Sequence, residues 1–296
     1  MIGTAVSLAL IAILIFMVFS TKNEDKTATT PVFKSVKALI SQNKLDEARK
    51  AMDKIAAENP DSGSIGKEYF EIASLYEKEK SLVKARDLYS LILENYQNID
   101  NILEVQEKLG RLNVQILFSP IVTDKDVLYA VEPGDTLSSI AKKFDTTVDL
   151  IKTSNSLKTD MIRAHSRLKI SKAKYSILVD KSQNLLTLFS DGSVFKVYRV
   201  ATGENNCTPV GTFDIVNRIK DPVWYTQGAI VPAESPDNIL GSRWLGISEP
   251  GYGIHGTVSP ESMGKQATKG CIRMLNPDVE ELYTIVPVGT KVTIVD

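Results

Sequence analysis

The stretch Thr268-Lys269-Gly270-Cys271-Ile272-Arg273-Met274, with Ile254-His255-Gly256-Thr257 shortly before it, decides how the fold of this chain is interpreted. It places one of the two cysteines close in sequence to one of the two histidines. The thiolate is the reactive form of cysteine, and a neighbouring imidazole can take the thiol proton. The pattern predicts that Cys271 is a nucleophile and that His255 is its general base.

Two glycines flank this predicted pair. Gly256 and Gly270 allow the backbone to approach a substrate closely or to adopt a positive φ. Acyl transfer also needs preorganised N–H donors for the developing oxyanion, and we predict the backbone amides of Gly270 and Cys271 as those donors. The alternatives are that Cys271 is a buried, inert core thiol and that His255 is a structural histidine in a turn.

The residues around the pair have the patterning of β-strands. Short segments of alternating or continuous apolar residues are separated by turn signals such as Asp191-Gly192. Strands are predicted over residues 175–180, 184–189, 193–201, 212–219 and 291–295. A short helix is predicted over residues 278–285, with Asn276-Pro277 as its start signal. We therefore expect a β-sandwich or a related mixed sheet over residues 174–296.

Further motifs in a fixed order give residues 174–296 a resemblance to the L,D-transpeptidase (YkuD-type) catalytic domain. They are Thr208-Pro209-Val210-Gly211-Thr212-Phe213, Leu240-Gly241-Ser242-Arg243-Trp244-Leu245-Gly246, Pro260 to Gly264, and Pro287-Val288-Gly289-Thr290-Lys291-Val292. The resemblance implies a Cys271 thioacyl-enzyme, release of the terminal D-alanine of a peptidoglycan stem peptide, and capture by carbapenems. It also implies that the Gly256 carbonyl orients His255.

Three further residues are predicted to bind substrate. Arg273 is close to Cys271 in sequence and could bind a stem-peptide carboxylate, or it could be a salt-bridged surface residue. Trp244 and Tyr252 are predicted pocket walls, with core packing as the alternative. The chain differs at two places from many members of the family that it resembles. Those members have Ser-His where this chain has Thr268-Lys269, and Asn where it has Arg273. These departures affect the expected donor and acceptor preference.

A second module is predicted over residues 127–171. A strand runs into Pro133-Gly134, Asp135 or Thr136 caps a helix, and a second short helix ends near Asn155 before a returning strand. This βααβ order resembles a LysM module, which implies binding to glycans that contain N-acetylglucosamine. The predicted glycan contacts are Gly134, Asp135, Thr136 and Asn155, whereas His165 is predicted to be a surface or turn residue.

Residues 32–118 have a helical pattern. Leu45, Ala48, Met52 and Ile55 recur at three- and four-residue spacing. An equivalent set follows in the next helical pair: Leu82, Ala85, Tyr89 and Ile92. The segment resembles tetratricopeptide repeats, with Pro60 closing the first unit and residues 99–117 as the capping helix. It is either a site for a protein partner or a spacer.

The N-terminus is predicted to be a membrane anchor over residues 1–20, followed by a flexible linker over residues 21–31. Residues 2–19 carry no charge and just reach the length that spans a bilayer. A cleaved signal peptide is the alternative, but the basic start that it needs is missing. Lys22 and Lys26 follow the span, so the positive-inside rule favours a cytoplasmic location for the part of the chain after it. This conflicts with the function that the downstream domains imply.

Composition excludes several other classes. The chain has 296 residues and a formal net charge of −1, which predicts two or three domains and no nucleic-acid binding. Two cysteines do not make a disulfide framework; a Cys207–Cys271 bridge is possible in an oxidising compartment but would block the nucleophile. No closely spaced ligand cluster predicts a metal, and we expect no cofactor.

Together these patterns predict a multidomain α+β protein: a membrane helix, helical repeats, a βααβ LysM module and a β-rich YkuD-like catalytic domain. The expected function is a peptidoglycan L,D-transpeptidase in the bacterial cell envelope, outside the cytoplasm, that acts on stem peptides and glycan strands. With water as acceptor the same site would be an L,D-carboxypeptidase. The alternative is a wall-binding scaffold with an inactive YkuD-like domain.

Overall fold

The structure is a computed structural model that describes residues 31–59, 64–226 and 228–296. The predicted membrane anchor, nearly all of the predicted linker, and Pro60 lie outside these ranges. Among the helices in the described ranges, none has the length and apolar character needed to cross a membrane. The chain divides into two compact units, one ending at Ile72 and the other running from Ala73 to Asp296.

Within the described residues, five helices precede the first strand. They are α1 (Pro31–Ser41), α2 (Leu45–Glu58), α3 (Ser64–Lys78), α4 (Leu82–Asn95) and α5 (Ile102–Leu117). The apolar spacing buries one face of each helix, as Met52 and Ile55 show in α2 and Tyr89 and Ile92 show in α4. The prediction of tetratricopeptide-like repeats is not confirmed, because the presence of helices in this region does not by itself establish a repeat.

Helix α5 packs against the β-rich domain that follows. Its Asn113 Nδ2 donates to the Phe195 carbonyl at 2.8 Å, and Val114 and Leu117 belong to the same buried cluster as the strands of that domain. The predicted helical-repeat segment over residues 32–118 therefore ends in a helix that contributes side chains to another domain's core. The sequence predicted a capping helix over residues 99–117 but not what it packs against.

The βααβ order predicted for residues 127–171 is present. Strands β1 (Asp126–Ala130) and β2 (Arg167–Ser171) pair antiparallel, with α6 (Leu137–Phe144) and α7 (Val148–Ser154) between them. Thr136 begins α6 with a capping box, in which Thr136 Oγ1 and Ser139 Oγ each accept from the other residue's backbone amide at 3.0 Å.

Lys169 of β2 fastens this module to α5. Its side chain is 2% exposed, and its ammonium donates to the carbonyls of Ile116 and Ser119 at 2.9 Å each. The same ammonium lies 3.7 Å from the buried carboxylate of Asp126. The two carbonyls lie at and just beyond the end of α5, where helical carbonyls lack their usual amide partner, and the lysine adds to the bonds that the Ile116 carbonyl accepts from Ser119. Burial lowers the pKa of Lys169, and the Asp126 carboxylate opposes that shift.

The β-rich domain is built on an eight-stranded sheet with the order β13-β11-β10-β7-β14-β3-β4-β5. Its strands are β3 (Tyr175–Asp180), β4 (Leu185–Ser190), β5 (Ser193–Arg199), β7 (Gly211–Lys220), β10 (Arg243–Ile247), β11 (Gly253–His255), β13 (Ile272–Arg273) and β14 (Lys291–Val295). Two small sheets pair β6 (Thr202–Gly203) with β12 (Gln266–Thr268), and β8 (Trp224–Thr226) with β9 (Ala229–Val231).

Helix α8 (Asn276–Ile285) packs on this sheet through Val279, Leu282 and Ile285, which are fully buried. It begins two residues before the predicted start, because Asn276 and Pro277 already form its first turn. Near its C-terminal end, the Thr284 carbonyl accepts from Thr147 Oγ1 of the βααβ module at 2.5 Å. The sheet, α5, α8 and the βααβ module are thus parts of one compact unit.

Candidate active site

Three neighbouring strands place Trp244, His255 and Arg273 in one row. Trp244 of β10 pairs with His255 of β11 in antiparallel register, and His255 pairs with Arg273 of β13 in parallel register. Paired residues project from the same face of a sheet. The Trp244 ring accordingly stacks on the His255 ring, with centroids 5.9 Å apart and an interplanar angle of 18°.

Cys271 immediately precedes the last strand of this row. Ile272 pairs with Ile254, and the Gly253 backbone amide lies beside the Cys271 thiol. One strand spacing and two residues of rise separate the Cα atoms of Cys271 and His255 by roughly 8 Å, which two converging side chains can span. Half-buried Cys271 also has its Sγ 3.7 Å from the Gly251 carbonyl oxygen.

His255 is held neutral by its surroundings. It is 3% exposed, and burial lowers its pKa to about 4, although the Gly256 carbonyl opposes the shift. Its Nδ1 lies 2.7 Å from that carbonyl oxygen, the acceptor that the family resemblance implied. With the proton on Nδ1, the lone pair is on Nε2, which is the form that a general base needs.

Burial raises the pKa of the Cys271 thiol, against the opposing effects of the Gly253 backbone amide and the Arg273 guanidinium. A raised thiol pKa beside a lowered imidazole pKa keeps the proton on sulfur at neutral pH. The site therefore rests as a neutral thiol and a neutral imidazole.

Asn276, interpreted from the sequence only as part of a helix start, fastens the loop beside His255. Its Oδ1 accepts from the amides of Thr257 and Ser242 at 3.0 and 3.2 Å, and its Nδ2 donates to the Thr257 carbonyl at 2.9 Å. A Cβ on Gly256 would overlap with Asn276 Oδ1. The partners lie far away in sequence, so the local Asn-Pro pattern could not reveal them.

Thr268 closes the loop that carries Cys271. Its Oγ1 donates to the Cys271 carbonyl at 2.7 Å and accepts from the Gly270 amide at 3.1 Å. The Gly270 amide, predicted as an oxyanion donor, is therefore already hydrogen-bonded. Gly270 has a φ of +120°, and a Cβ there would lie 2.5 Å from the Tyr252 ring. Tyr252 thus packs directly on the loop that carries Gly270 and Cys271.

Arg273 extends beside this loop. Its Nη1 donates to Ser262 Oγ at 3.2 Å, whereas its buried Nε has no acceptor among the residues that the structure describes. Burial lowers the pKa of the guanidinium, and the charge of Glu261 opposes that shift. Arg273 therefore retains donor capacity close to Cys271.

Cys207 is exposed and lies beside the loop that carries Cys271. Its Sγ and the Gly270 Cα lie 2.5 and 2.9 Å from the position that a Cβ on Gly203 would occupy. Both cysteines are free thiols.

The predicted glycan contacts fall in two places. A groove of about 300 Å³ is lined on one side of the βααβ module by residues that include Asn155, Leu157 and Met161. Both amide atoms of Asn155 bond the backbone of Lys169 at 2.8 Å, so its side chain already has a structural role.

The other three predicted contacts, Gly134, Asp135 and Thr136, lie in the loop before α6 and not along this groove. Asp135 Oδ2 accepts from Tyr129 Oη at 2.8 Å and from the Glu132 amide at 2.9 Å. Exposed Gly134 has a φ of +91°. His165 lies in an exposed turn, as its sequence context predicted.

Comparison with known proteins identifies both modules. A family model described as the L,D-transpeptidase catalytic domain (YkuD) matches residues 174–294, and a LysM domain model matches residues 129–171. The relative YkuD of Bacillus subtilis (strain 168), named as an L,D-transpeptidase, is 39% identical over 173 residues, which cover 56% of this chain and 97% of the relative. The relative YqjB of the same organism is 42% identical over 126 residues, covering 40% and 70%.

The chain therefore belongs to the L,D-transpeptidase family and carries a LysM domain. These two domains imply peptidoglycan binding and suggest association with the cell wall. Among solved structures, an L,D-transpeptidase from Mycobacterium tuberculosis H37Rv has 18% identity and a TM-score of 0.37, over 45% of this chain and 63% of that one, which is less than two thirds of its length. The catalytic domain from the E. faecium L,D-transpeptidase has 24% identity and a TM-score of 0.35, over 41% and 97%.

Proposed function

We propose that the protein is a peptidoglycan L,D-transpeptidase that forms cross-links through a thioacyl-enzyme on Cys271. The observation that supports this most is the register of β10, β11 and β13, in which Trp244, His255 and Arg273 form one row directly beside Cys271. The proposed nucleophile, the proposed base and a cationic side chain are thus close together, as acyl transfer requires.

The proposed first half-reaction starts from the neutral pair. His255 Nε2 takes the thiol proton as Cys271 Sγ attacks the carbonyl carbon of the third stem residue. The Cys271 amide is the candidate donor to the tetrahedral oxyanion, since the Gly270 amide is bonded to Thr268. The intermediate collapses to a thioester, and the terminal D-alanine leaves with the proton from His255.

In the second half-reaction, a side-chain amine of a neighbouring stem attacks the thioester. His255 accepts a proton from that amine and returns it to Sγ, which restores the thiol and leaves a 3→3 amide cross-link. Water in place of the amine would release a tripeptide stem, which is L,D-carboxypeptidase activity.

Substrate contacts are proposed from the same face. The charged guanidinium of Arg273, close enough to act on the Cys271 thiol, suits a stem carboxylate, while Trp244 and Tyr252 form walls beside His255 and Gly270. We propose that the LysM domain binds glycan strands and that the protein acts in the cell envelope outside the cytoplasm. The anchor over residues 1–20 and a protein partner for residues 32–118 are proposed from sequence alone.

The test is intact-mass analysis of the reduced full chain after incubation with a carbapenem, with Cys271→Ala alongside. Cys207→Ala is the matched control, because it removes the other free thiol from the same region. A single adduct is expected on the wild type and on Cys207→Ala but not on Cys271→Ala. A folded wild type without adduct, or an adduct on Cys271→Ala, would overturn the assignment of the nucleophile.

Product analysis on purified sacculi then distinguishes the activities. Cross-linked stems with D-alanine released in equal amount are expected for a transpeptidase, and uncrosslinked tripeptide stems for a carboxypeptidase. Firm binding to sacculi without either product would support the scaffold alternative.

A further inference from the structure

The side chain of Asn276 is placed to control the geometry of His255. Asn276 is the first residue of α8, and its carboxamide bonds the backbone of two loops, one at Ser242 and one at Thr257. The oxygen accepts two N–H bonds, and the nitrogen donates to the Thr257 carbonyl at 2.9 Å. Only a carboxamide provides this combination, because a carboxylate accepts without donating.

Two glycines surround this carboxamide. A Cβ on Gly241 or on Gly256 would overlap with Asn276 Oδ1, so the side chain fills the space that both residues leave open. Gly241 also has a φ of +63°, which disfavours a side chain there independently. The position of the backbone at Gly256 is therefore fixed by direct contact with Asn276.

Gly256 in turn fixes the imidazole. Its carbonyl oxygen is 2.7 Å from His255 Nδ1, and its amide donates to the Arg243 carbonyl at 3.2 Å. On the other side, the His255 carbonyl accepts from the Met274 amide at 2.8 Å. The backbone on both sides of the histidine is thus held, and Asn276 supplies the side-chain bonds that hold the peptide carrying the Nδ1 acceptor.

We propose that Asn276 is a positioning residue for the general base: it directs the Gly256 carbonyl at Nδ1, so that Nε2 of His255 faces the Cys271 thiol. The inference rests on the proposed catalytic role of His255. Asn276 contacts neither the substrate nor the thiol in this scheme, and it acts only through the orientation and tautomer of the imidazole, in the way that an orienting acceptor does in other triads.

The test compares Asn276→Ala and Asn276→Asp in the full chain. Asn217→Ala is the matched control, because Asn217 Oδ1 similarly packs on a glycine, Gly246, and accepts from its amide at 3.2 Å. The readouts are the carbapenem acylation rate against pH, the thermal unfolding temperature, and the ¹⁵N shifts of the His255 ring, which distinguish the two neutral tautomers.

Asn276→Ala is expected to lower the acylation rate by about 10- to 100-fold, as loss of near-attack geometry does, and to give a mixture of tautomers while the protein stays folded. Asn217→Ala should retain the wild-type rate within about twofold. Asn276→Asp keeps the accepted bonds and adds a negative charge near a ring that also faces Arg273 and Cys271. It should recover part of the rate and shift the acid limb of the pH profile upwards, since a carboxylate favours the imidazolium.

A wild-type rate and a pure Nδ1–H tautomer in Asn276→Ala would overturn the proposal. A rate that falls only in proportion to the unfolded fraction would overturn it too, since that is a purely structural effect. If the wild type itself forms no carbapenem adduct, the proposed function fails, whereas the ring ¹⁵N shifts still decide whether Asn276 sets the tautomer.

Discussion

Replacing Lys169 with Met should destabilise the second compact unit strongly. The substitution leaves the Asp126 carboxylate, 3% exposed, without its counter-charge, and removes the lysine donor from the carbonyls of Ile116 and Ser119. Removing one partner of a buried ion pair costs about 3–5 kcal/mol. In a unit of this size, roughly 2–4 °C is lost per kcal/mol, so the unfolding temperature should fall by on the order of 10 °C.

The assay is thermal unfolding followed by circular dichroism, with two comparison variants. Lys174→Met removes an ion pair with Asp145 in which both side chains are about 60% exposed, and it should cost less than about 1 kcal/mol. Lys169→Met combined with Asp126→Asn removes the uncompensated charge and should recover a large part of the loss. Equal shifts in Lys169→Met and Lys174→Met would refute the reasoning.

Other consequences concern the active site. Burial lowers the pKa of His255 to about 4 in the folded protein, whereas the pKa of an unfolded histidine is about 6.5. As pH falls from about 6.5 to about 4, the His255 imidazole therefore binds a proton in the unfolded chain but not in the folded protein. In denaturant titrations the free energy of unfolding of the wild type should fall by about 3 kcal/mol more than that of His255→Gln over this pH range. The same dependence on pH in both proteins would contradict the prediction. Gly270→Ala should slow acylation at least tenfold because the new Cβ meets the Tyr252 ring. Gly289 has a φ of +91° and open space around it, so Gly289→Ala should only lower stability, through backbone strain of about 1–3 kcal/mol. Equal acylation rates in the two variants would count against a role for the contact between Gly270 and Tyr252. Thr268→Val should slow acylation and Thr268→Ser should restore it; a Ser variant as slow as Val would exclude the hydroxyl's role.

Much of the fold followed from local patterns. Capping residues and apolar spacing predicted the βααβ order, and the Asn-Pro pair placed the start of α8 within two residues. The proximity of His255 and Cys271 in the sequence predicted that the two residues act as a pair. Strand β11, which carries His255, indeed pairs with β13, which directly follows Cys271.

What could not be predicted depends on contacts between distant segments. The sequence predicted a helix over residues 99–117, but the partner of that helix, the core around Phe195, lies far along the chain. The Gly270 amide looked free because a motif does not show that the Thr268 hydroxyl turns back to accept from it. Asn276 fitted a helix start completely, so nothing in the sequence indicated a second role.

The attachment of α5 to the catalytic sheet has a consequence for how this protein could evolve or be engineered. The family match begins at residue 174, yet Val114, Leu117 and the LysM residue Leu150 are buried in the same apolar cluster as the catalytic strands. A fragment cut at the family boundary would expose that surface and aggregate more readily. Shuffling this catalytic domain between proteins would therefore require transfer of α5 and the LysM domain with it, as a single heritable block.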